Sequence, residues 1–339
     1  MSGDCRNGGD DGTLAQRVFE ALAPGGFRSG ERLAAELGVS RSAVWKAVER
    51  LRSLQAEIHA VPNRGYRLAQ ATVPLDARRV AAALSPQAAA MVHSLRVAWS
   101  LGSTNAQLLE APPPPAGRAS VLLAEHQSAG RGRRGRTWIA PLGGAICLSI
   151  GWSLRLLPPG IGALGLAIGV CVRRALMDCG VQAVGLKWPN DLVADDGKLG
   201  GILIELRAEA GGPAFAAIGI GLNVTLGARL RTAIAGTGTC AADLISLGLA
   251  DVDRNRLAAC VTERCLAGLQ EFDAAGFQPF VAEWRAADTL CGREVTAHVG
   301  GESLVGIARG IDLSGALLLE TAVGPRALIA GEVTVRAGS

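Results

Sequence analysis

Gly130-Arg131-Gly132-Arg133-Arg134-Gly135-Arg136-Thr137-Trp138 interleaves four arginines with three glycines and closes on a Thr-Trp pair. Glycine lets a backbone turn at positive φ or come close to a ligand, and each guanidinium offers a planar fork of donors matched to carboxylate or phosphate. Gly130, Gly132 and Gly135 fit G-x-G-x-x-G, but a dinucleotide fingerprint follows a strand and opens a helix. Here Trp138-Ile139-Ala140-Pro141 and an apolar run follow instead. An RGG-type nucleic-acid segment belongs in a low-complexity tail, whereas this stretch sits mid-chain between strand-like residues 121–124 and 145–150. A charge run is also often no more than a solvated basic loop. A binding or catalytic loop on a folded domain fits the placement best.

Outward from the loop, the 339 residues and 49% apolar content allow two or three domains with sizeable cores. A formal net charge of +4 is mild, so any nucleic-acid contact must come from a local patch. Eight cysteines show neither C-x-x-C spacing nor clustering with the four histidines; most are expected to be buried free thiols in a reducing compartment. Residues 1–12 are polar and acidic, unlike a signal peptide, and no window is long enough to span a bilayer. These features imply a soluble, cytoplasmic protein with no membrane partner.

After the expected flexible tail, residues 1–12, the pattern predicts a winged helix-turn-helix over residues 13–70. Leu14, Val18 and Leu22 mark a first helix, and Ser29 caps a second through Leu33, Ala34 and Leu37. Gly38-Val39-Ser40 supplies the turn and the cap of a third helix, residues 41–54. Val44, Ala47, Val48, Leu51 and Leu54 form its apolar face, leaving Arg41, Ser42, Trp45, Lys46 and Glu49 outward, a set that begins at the N-terminus, where recognition helices touch bases. Residues 58–61 and 66–68 flank Pro62-Asn63-Arg64-Gly65 as a hairpin wing carrying Arg64. From Arg28 to Arg67 basic residues outnumber acidic ones eight to four, which favours DNA over a protein-interaction module. Residues 71–90, alanine-rich with Pro74 and Pro86, are expected to be a linker with a short helical piece. Alternating strands and helices over residues 91–285 predict an α/β domain, and the short strands and glycine turns of residues 286–339 predict a small β-barrel.

Two further stretches carry chemistry. In Lys187-Trp188-Pro189-Asn190-Asp191 the proline holds Trp188 extended, and Asn190 and Asp191 leave the strand at its end, where α/β sites gather. Seven residues on, Lys198 precedes Leu199-Gly200-Gly201-Ile202, expected to be a Gly-Gly turn on which a ligand rests. A lysine there neutralises phosphate, and Asp191 would help hold a Mg²⁺ shared with phosphate oxygens; a surface salt bridge on a hairpin is the plainer alternative. Ser103-Thr104-Asn105 taken alone is ordinary N-cap chemistry.

In order and wording these stretches resemble the biotin protein ligases. With Ser40-Arg41-Ser42-Ala43-Val44-Trp45-Lys46 and the wing Gly65-Tyr66 in front, the chain resembles the bifunctional class that also represses a biotin operon. Arg309-Gly310-Ile311-Asp312 and Gly315-Ala316-Leu317-Leu318-Leu319-Glu320 resemble that family's SH3-like domain. The resemblance covers nearly the whole chain beyond the tail. It implies an α+β protein: an N-terminal winged helix-turn-helix, a central biotin/lipoate-ligase-like catalytic domain with a mixed sheet, and a C-terminal SH3-like β-barrel. It also implies an ATP-dependent, Mg²⁺-requiring reaction in which biotin becomes biotinyl-5′-AMP and is then passed to a lysine of a biotin carboxyl carrier protein.

Carried over by motif, Ser103, Thr104, Asn105 and Gln127 would bind biotin, with Arg131, Gly132 and Arg133 closing over it. Lys198 would bridge the biotin carboxylate and the α-phosphate and act as a catalytic residue with Arg131 and Asp191. Arg133, Arg134, Trp138, Lys187, Asn190 and Asn223 would lie on the nucleotide side. The same resemblance implies that biotinyl-5′-AMP is a corepressor, promoting a homodimer that grips operator DNA through Arg41, Ser42, Trp45, Lys46 and Arg64. Gly102 departs from the family, which often has an acidic residue before this Ser-Thr-Asn. A transcription factor that merely senses biotin would not need Lys198, Asp191 and Arg131, and a lipoate ligase is the related alternative.

Overall fold

The computed structural model describes residues 8–154, 160–195, 197–208, 214–236, 240–249 and 252–335. Cys5 and the first residues of the expected tail lie outside them. The N-terminal unit comprises α1 (Gly8–Leu22), α2 (Gly30–Leu37), α3 (Arg41–Ser53) and a hairpin of β1 (Ile58–Val61) and β2 (Gly65–Leu68). Its first helix begins inside the stretch expected to be a tail. Ser29 and Ser40 cap α2 and α3, accepting from Arg32 N and Ala43 N at 3.1 and 3.2 Å. Val18, Phe19 and Leu22 pack on Leu33, Val44, Val48 and Leu51, which is the predicted face of α3. Gly65 has φ 94°, and a Cβ there would fall 2.1 Å from Arg28 O, so only glycine lets the wing bridge back to Arg28.

The chain continues through α4 (Ala77–Ala82), α5 (Pro86–Met91), β3 (Val92–Leu101), α6 (Thr104–Glu110), β4 (Ala119–Gln127), β5 (Ala145–Leu154), α7 (Leu164–Asp178) and β6 (Gly185–Lys187). Then come β7 (Asp191–Ala194), β8 (Gly197–Ala208), β9 (Ala214–Asn223), α8 (Ala228–Ala235), α9 (Arg254–Ala275) and α10 (Val281–Ala286). The strands form one sheet in the order β3-β4-β5-β9-β8-β7-β6. It is mixed: β3 and β4 are parallel and the other neighbours antiparallel. Alternation along β4 assigns the two faces. Val121 and Leu123 enter the core shared with α7 and α9, whereas Leu122 packs with Leu108 of α6. The expected linker is instead docked structure, since Leu75, Val80, Ala88 and Met91 are buried in that same core.

A second sheet, β10 (Glu294–Val299), β11 (Glu302–Ile311), β12 (Leu317–Thr321), β13 (Gly324–Leu328) and β14 (Glu332–Val335), is antiparallel in the order β13-β12-β11-β10-β14 and forms the SH3-like unit. Trp188 anchors it to the central sheet by donating to Gly315 O at 3.1 Å.

Thr72, which donates its N–H to Ala23 O at 2.9 Å, ties the end of the N-terminal unit to a buried network on the central sheet. Arg254, fully buried, donates to both oxygens of Glu125 at 2.9 and 2.8 Å, to Ala145 O and Val73 O, and to Thr72 Oγ1. All five of its N–H groups are thereby used. Cys147, Cys171 and Cys265 are buried as expected, but Cys179 and Cys260 are half-buried and Cys240 and Cys291 exposed. No helix among the described residues is long and apolar enough to cross a membrane.

Candidate active site

A cleft of about 1220 Å³ opens between the central sheet, the arginine loop and β14. Ser103 caps α6, with Oγ 3.4 Å from Ala106 N, and so sets Thr104 and Asn105 on the first turn against the sheet. Thr104 N and Oγ1 lie 2.8 and 3.1 Å from Gln127 Oε1 at the end of β4. Ser149, wholly buried on β5, sits 2.6 Å from both Thr104 Oγ1 and Asn105 Oδ1. The Asn105 amide donates to Leu203 O at 3.1 Å and to Glu205 Oε2 at 2.9 Å. Its polar atoms are therefore satisfied within the protein, and it braces the cleft wall. Ser149 and Glu205 were not singled out from sequence, although each is a lone polar residue in an apolar strand run.

The arginine loop folds around a 3-10 turn, Arg133–Gly135, closed by Gly132 N to Arg136 O at 2.7 Å and Trp138 N to Gly130 O at 2.9 Å. Its arginines diverge. Arg131 pairs with Glu205 at 3.2 Å, and Arg133 reaches Asn190 Oδ1 at 3.4 Å. Arg136 pairs with Glu332 of β14. Arg134, at φ 53°, is exposed and outside the cleft wall, contrary to its expected nucleotide-side place. Desolvation draws the Arg133 pKa down, helped by the like charge of Arg134. Burial also lowers that of Lys187, against the opposing pull of Asp191. The cationic end of the cleft is thus partly dehydrated, which strengthens its field.

Lys198 stands on β8 with Nζ 2.7 Å from Asp191 Oδ1 and 5.9 Å from the centre of the Trp138 ring. The hairpin salt bridge and the cleft position are both present. Its backbone is held on either side, Lys198 N to Cys240 O at 2.9 Å and Ala242 N to Lys198 O at 3.0 Å. Asn223, expected on the nucleotide side, is buried outside the cleft wall and donates to Lys198 O and Ala242 O, each at 3.1 Å. Its observed work is to fix the lysine's strand. Gly200 and Gly201 are likewise not a turn but lie within β8. A Cβ on Gly200 would meet Gly221 O at 2.7 Å, and one on Gly201 would meet Lys198 Cε at 3.3 Å.

Two glycines of β9 shape the floor in the same way. A Cβ on Gly219 would lie 2.7 Å from Asn105 Oδ1, and one on Gly221 would lie 2.5 Å from Trp138 Cε2. Gly221→Ala must displace the indole and is expected to cost about 1–3 kcal/mol by overpacking. Chemical unfolding with tryptophan fluorescence checks this, and an unshifted midpoint would contradict the contact. Cys147, also in the wall, is no candidate nucleophile, because burial pushes its thiol up to about 12. Among the described residues no group of three or more His, Cys, Asp or Glu is placed to hold a metal; Asp191 is a single carboxylate.

Away from the cleft, Arg41, Ser42, Trp45 and Lys46 are all exposed on α3, with Arg41 3.4 Å from Glu31. Arg64 of the wing stacks 4.2 Å above the Phe27 ring. One unit thus presents an aromatic and several cations to solvent together.

The chain is similar to known proteins over nearly its whole length. Family models match residues 16–67 as an HTH domain, 103–223 as the biotin/lipoate A/B protein ligase family and 290–336 as the biotin protein ligase C terminal domain. The bifunctional ligase/repressor BirA of Escherichia coli K12 is 35% identical over 332 residues, spanning 96% of this chain and 98% of the relative. The biotin–acetyl-CoA-carboxylase ligase of Mycobacterium tuberculosis H37Rv is 39% identical over 249 residues, 71% of this chain and 88% of the relative. The structure of the Aquifex aeolicus biotin protein ligase with biotin and ATP superposes with a TM-score of 0.58 at 26% identity, covering 71% of this chain and 97% of that one.

Proposed function

The chain belongs to the bifunctional ligase/repressor branch of the biotin protein ligase family, and from that premise we propose how its cleft carries out biotin ligation. A biotin carboxylate oxygen bonds to the α-phosphorus of ATP as the bond to the departing pyrophosphate breaks, giving biotinyl-5′-AMP. The ε-amine of a carrier-protein lysine then attacks the acyl carbon, loses a proton, and AMP leaves.

One observation carries this reading: a single cleft is lined both by uncharged polar groups, Ser103, Thr104 and Gln127, and by cations, Arg131, Arg133, Lys187 and Lys198. The first suits a neutral ureido ring in a partly apolar pocket. The second suits two anions that must be brought together, since positive charge screens their repulsion and stabilises the pentacoordinate phosphorus. Lys198, on a strand fixed from both sides, serves as the bridging cation. Trp138, Asn190 and Lys187 line the nucleotide side, while Asn105 and Asn223 act by holding other residues. Asp191 is the residue that would hold Mg²⁺, as one carboxylate suffices when substrate phosphates complete the shell, and the ion would neutralise phosphate charge.

The acceptor is a biotin carboxyl carrier domain, and the N-terminal unit binds the operator of biotin-synthesis genes. Biotinyl-5′-AMP acts as corepressor by promoting a dimer. Supporting this, residues 203–208 of β8 pair with β9 on one side and, among the described residues, with no strand on the other, and such an edge is open to strand addition.

Purified protein with MgATP should biotinylate a carrier domain in the presence of biotin and not of lipoate. Lipoylation without biotinylation would overturn the assignment. Full-length Arg41→Ala/Lys46→Ala protein should bind operator more weakly, with the slope of log K against log salt shallower by about 1 for each phosphate the variant no longer grips. Unchanged affinity in a salt titration would remove α3 from the interface.

A further inference from the structure

We propose that Glu205 is a positioning residue for ligation, a carboxylate clamp that ties the Arg131 end of the arginine loop to the buried wall around Asn105; this rests on the ligase reading above. The two carboxylate oxygens are divided between the partners: Oε2 accepts from Asn105 Nδ2 at 2.9 Å, and Oε1 lies 3.2 Å from Arg131 Nη1. Asn105 has little room to move, being buried and also bonded to Ser149 and Leu203 O. Arg131 therefore hangs, through one side chain, from a rigid part of the cleft. The Glu205 side chain is 25% exposed and that of Arg131 42%, so solvent screens part of the attraction and the buried Asn105 contact supplies the fixed end.

A loop rich in glycine loses much conformational freedom when it closes, and a charge-assisted contact to a fixed wall offsets part of that cost. The neighbouring backbone is already constrained. A Cβ on Gly130 would lie 2.4 Å from Trp138 O, so the two ends of the loop touch immediately before Arg131. The clamp acts where closure is transmitted to the first arginine, and it keeps a reactive acyl-adenylate from solvent until the acceptor lysine arrives.

Glu205→Gln separates charge from shape, keeping an acceptor toward Asn105 while losing the ion pair with Arg131. Synthetic biotinyl-AMP loaded on the full-length variant should escape about tenfold faster than from the wild type, the loss of one charge-assisted bond. KM for biotin should rise, and kcat of adenylation should fall by less than retention does, because Lys198, Lys187 and Arg133 stay in the cleft wall. In an Arg131→Met background the same change should add almost nothing. Escape at the wild-type rate, a fall in kcat with normal retention, or a full tenfold effect in the Arg131→Met background would each overturn the clamp. Because the adenylate is supplied ready-made, a wild type that forms none from biotin and ATP would count against the ligase reading alone.

Discussion

Lys198→Ala is expected to slow pyrophosphate release from biotin and MgATP by about 10²–10³-fold, the usual loss when one preorganised charge is removed from the reacting centre. The substitution leaves the fold in place because the lysine's structural work is done by its backbone. Its N–H donates to Cys240 O, and its carbonyl accepts from Ala242 N and the Asn223 amide. Truncation frees Asp191 from its 2.7 Å contact, but the Asp191 side chain is 24% exposed and is rehydrated at little cost. Measured adenylation at the wild-type rate would remove Lys198 from the chemistry. A lowered unfolding midpoint would instead show that the side chain is structural.

Arg254→Met carries the largest expected stability loss, about 3–5 kcal/mol, because it strands the Glu125 carboxylate in the interior. Glu125 is buried and accepts from Arg254 through both oxygens and from Leu75 N through Oε1. Urea unfolding followed by circular dichroism reads the effect, and Arg254→Met with Glu125→Leu should recover a substantial part of it, since a buried apolar pair avoids the unpaired charge. A loss below about 1 kcal/mol in the single variant would mean that the pair is not desolvated as the structure has it. Thr72 and Val73 share the same guanidinium. The variant should therefore also loosen the join between the helix-turn-helix and the ligase sheet.

The parts legible in the sequence were those whose physics is local. Ser29, Gly38 and Ser40 bound helices α2 and α3, the apolar spacing of α3 gave its buried face, and the interleaved arginines and glycines marked a loop that lines the cleft. Partners set by how helices pack on the sheet were not legible. Arg254 and Glu125 stand 129 positions apart, and Asn105 and Glu205 are 100 apart. Nothing in either neighbourhood announces the pairing, because α9 meets β4 and α6 meets β8 only once the sheet is assembled. The alanine-rich stretch misled for a related reason. Val80, Ala88 and Met91 are too few to declare an amphipathic helix alone, and they are buried by α9 and β3, which lie elsewhere in the chain. Asn223 was misplaced because an asparagine at a strand end looks the same whether its amide faces a nucleotide or two carbonyls.

Gly219 and Gly221 show where this chain has little freedom to vary, and Gly201, whose Cβ would meet the flexible end of Lys198 at 3.3 Å, follows them more loosely. Each lies directly beneath a side chain that lines the cleft, Asn105, Trp138 and Lys198 respectively. Adding a methyl group at any of them pushes on a functional residue from below while leaving the polar inventory of the cleft unchanged. Neutral drift, which readily exchanges one apolar strand residue for another, is narrowed most at Gly219 and Gly221. The chemistry of the cleft is inherited partly as missing atoms, and a variant lost there would look harmless to any survey that counts only polar side chains.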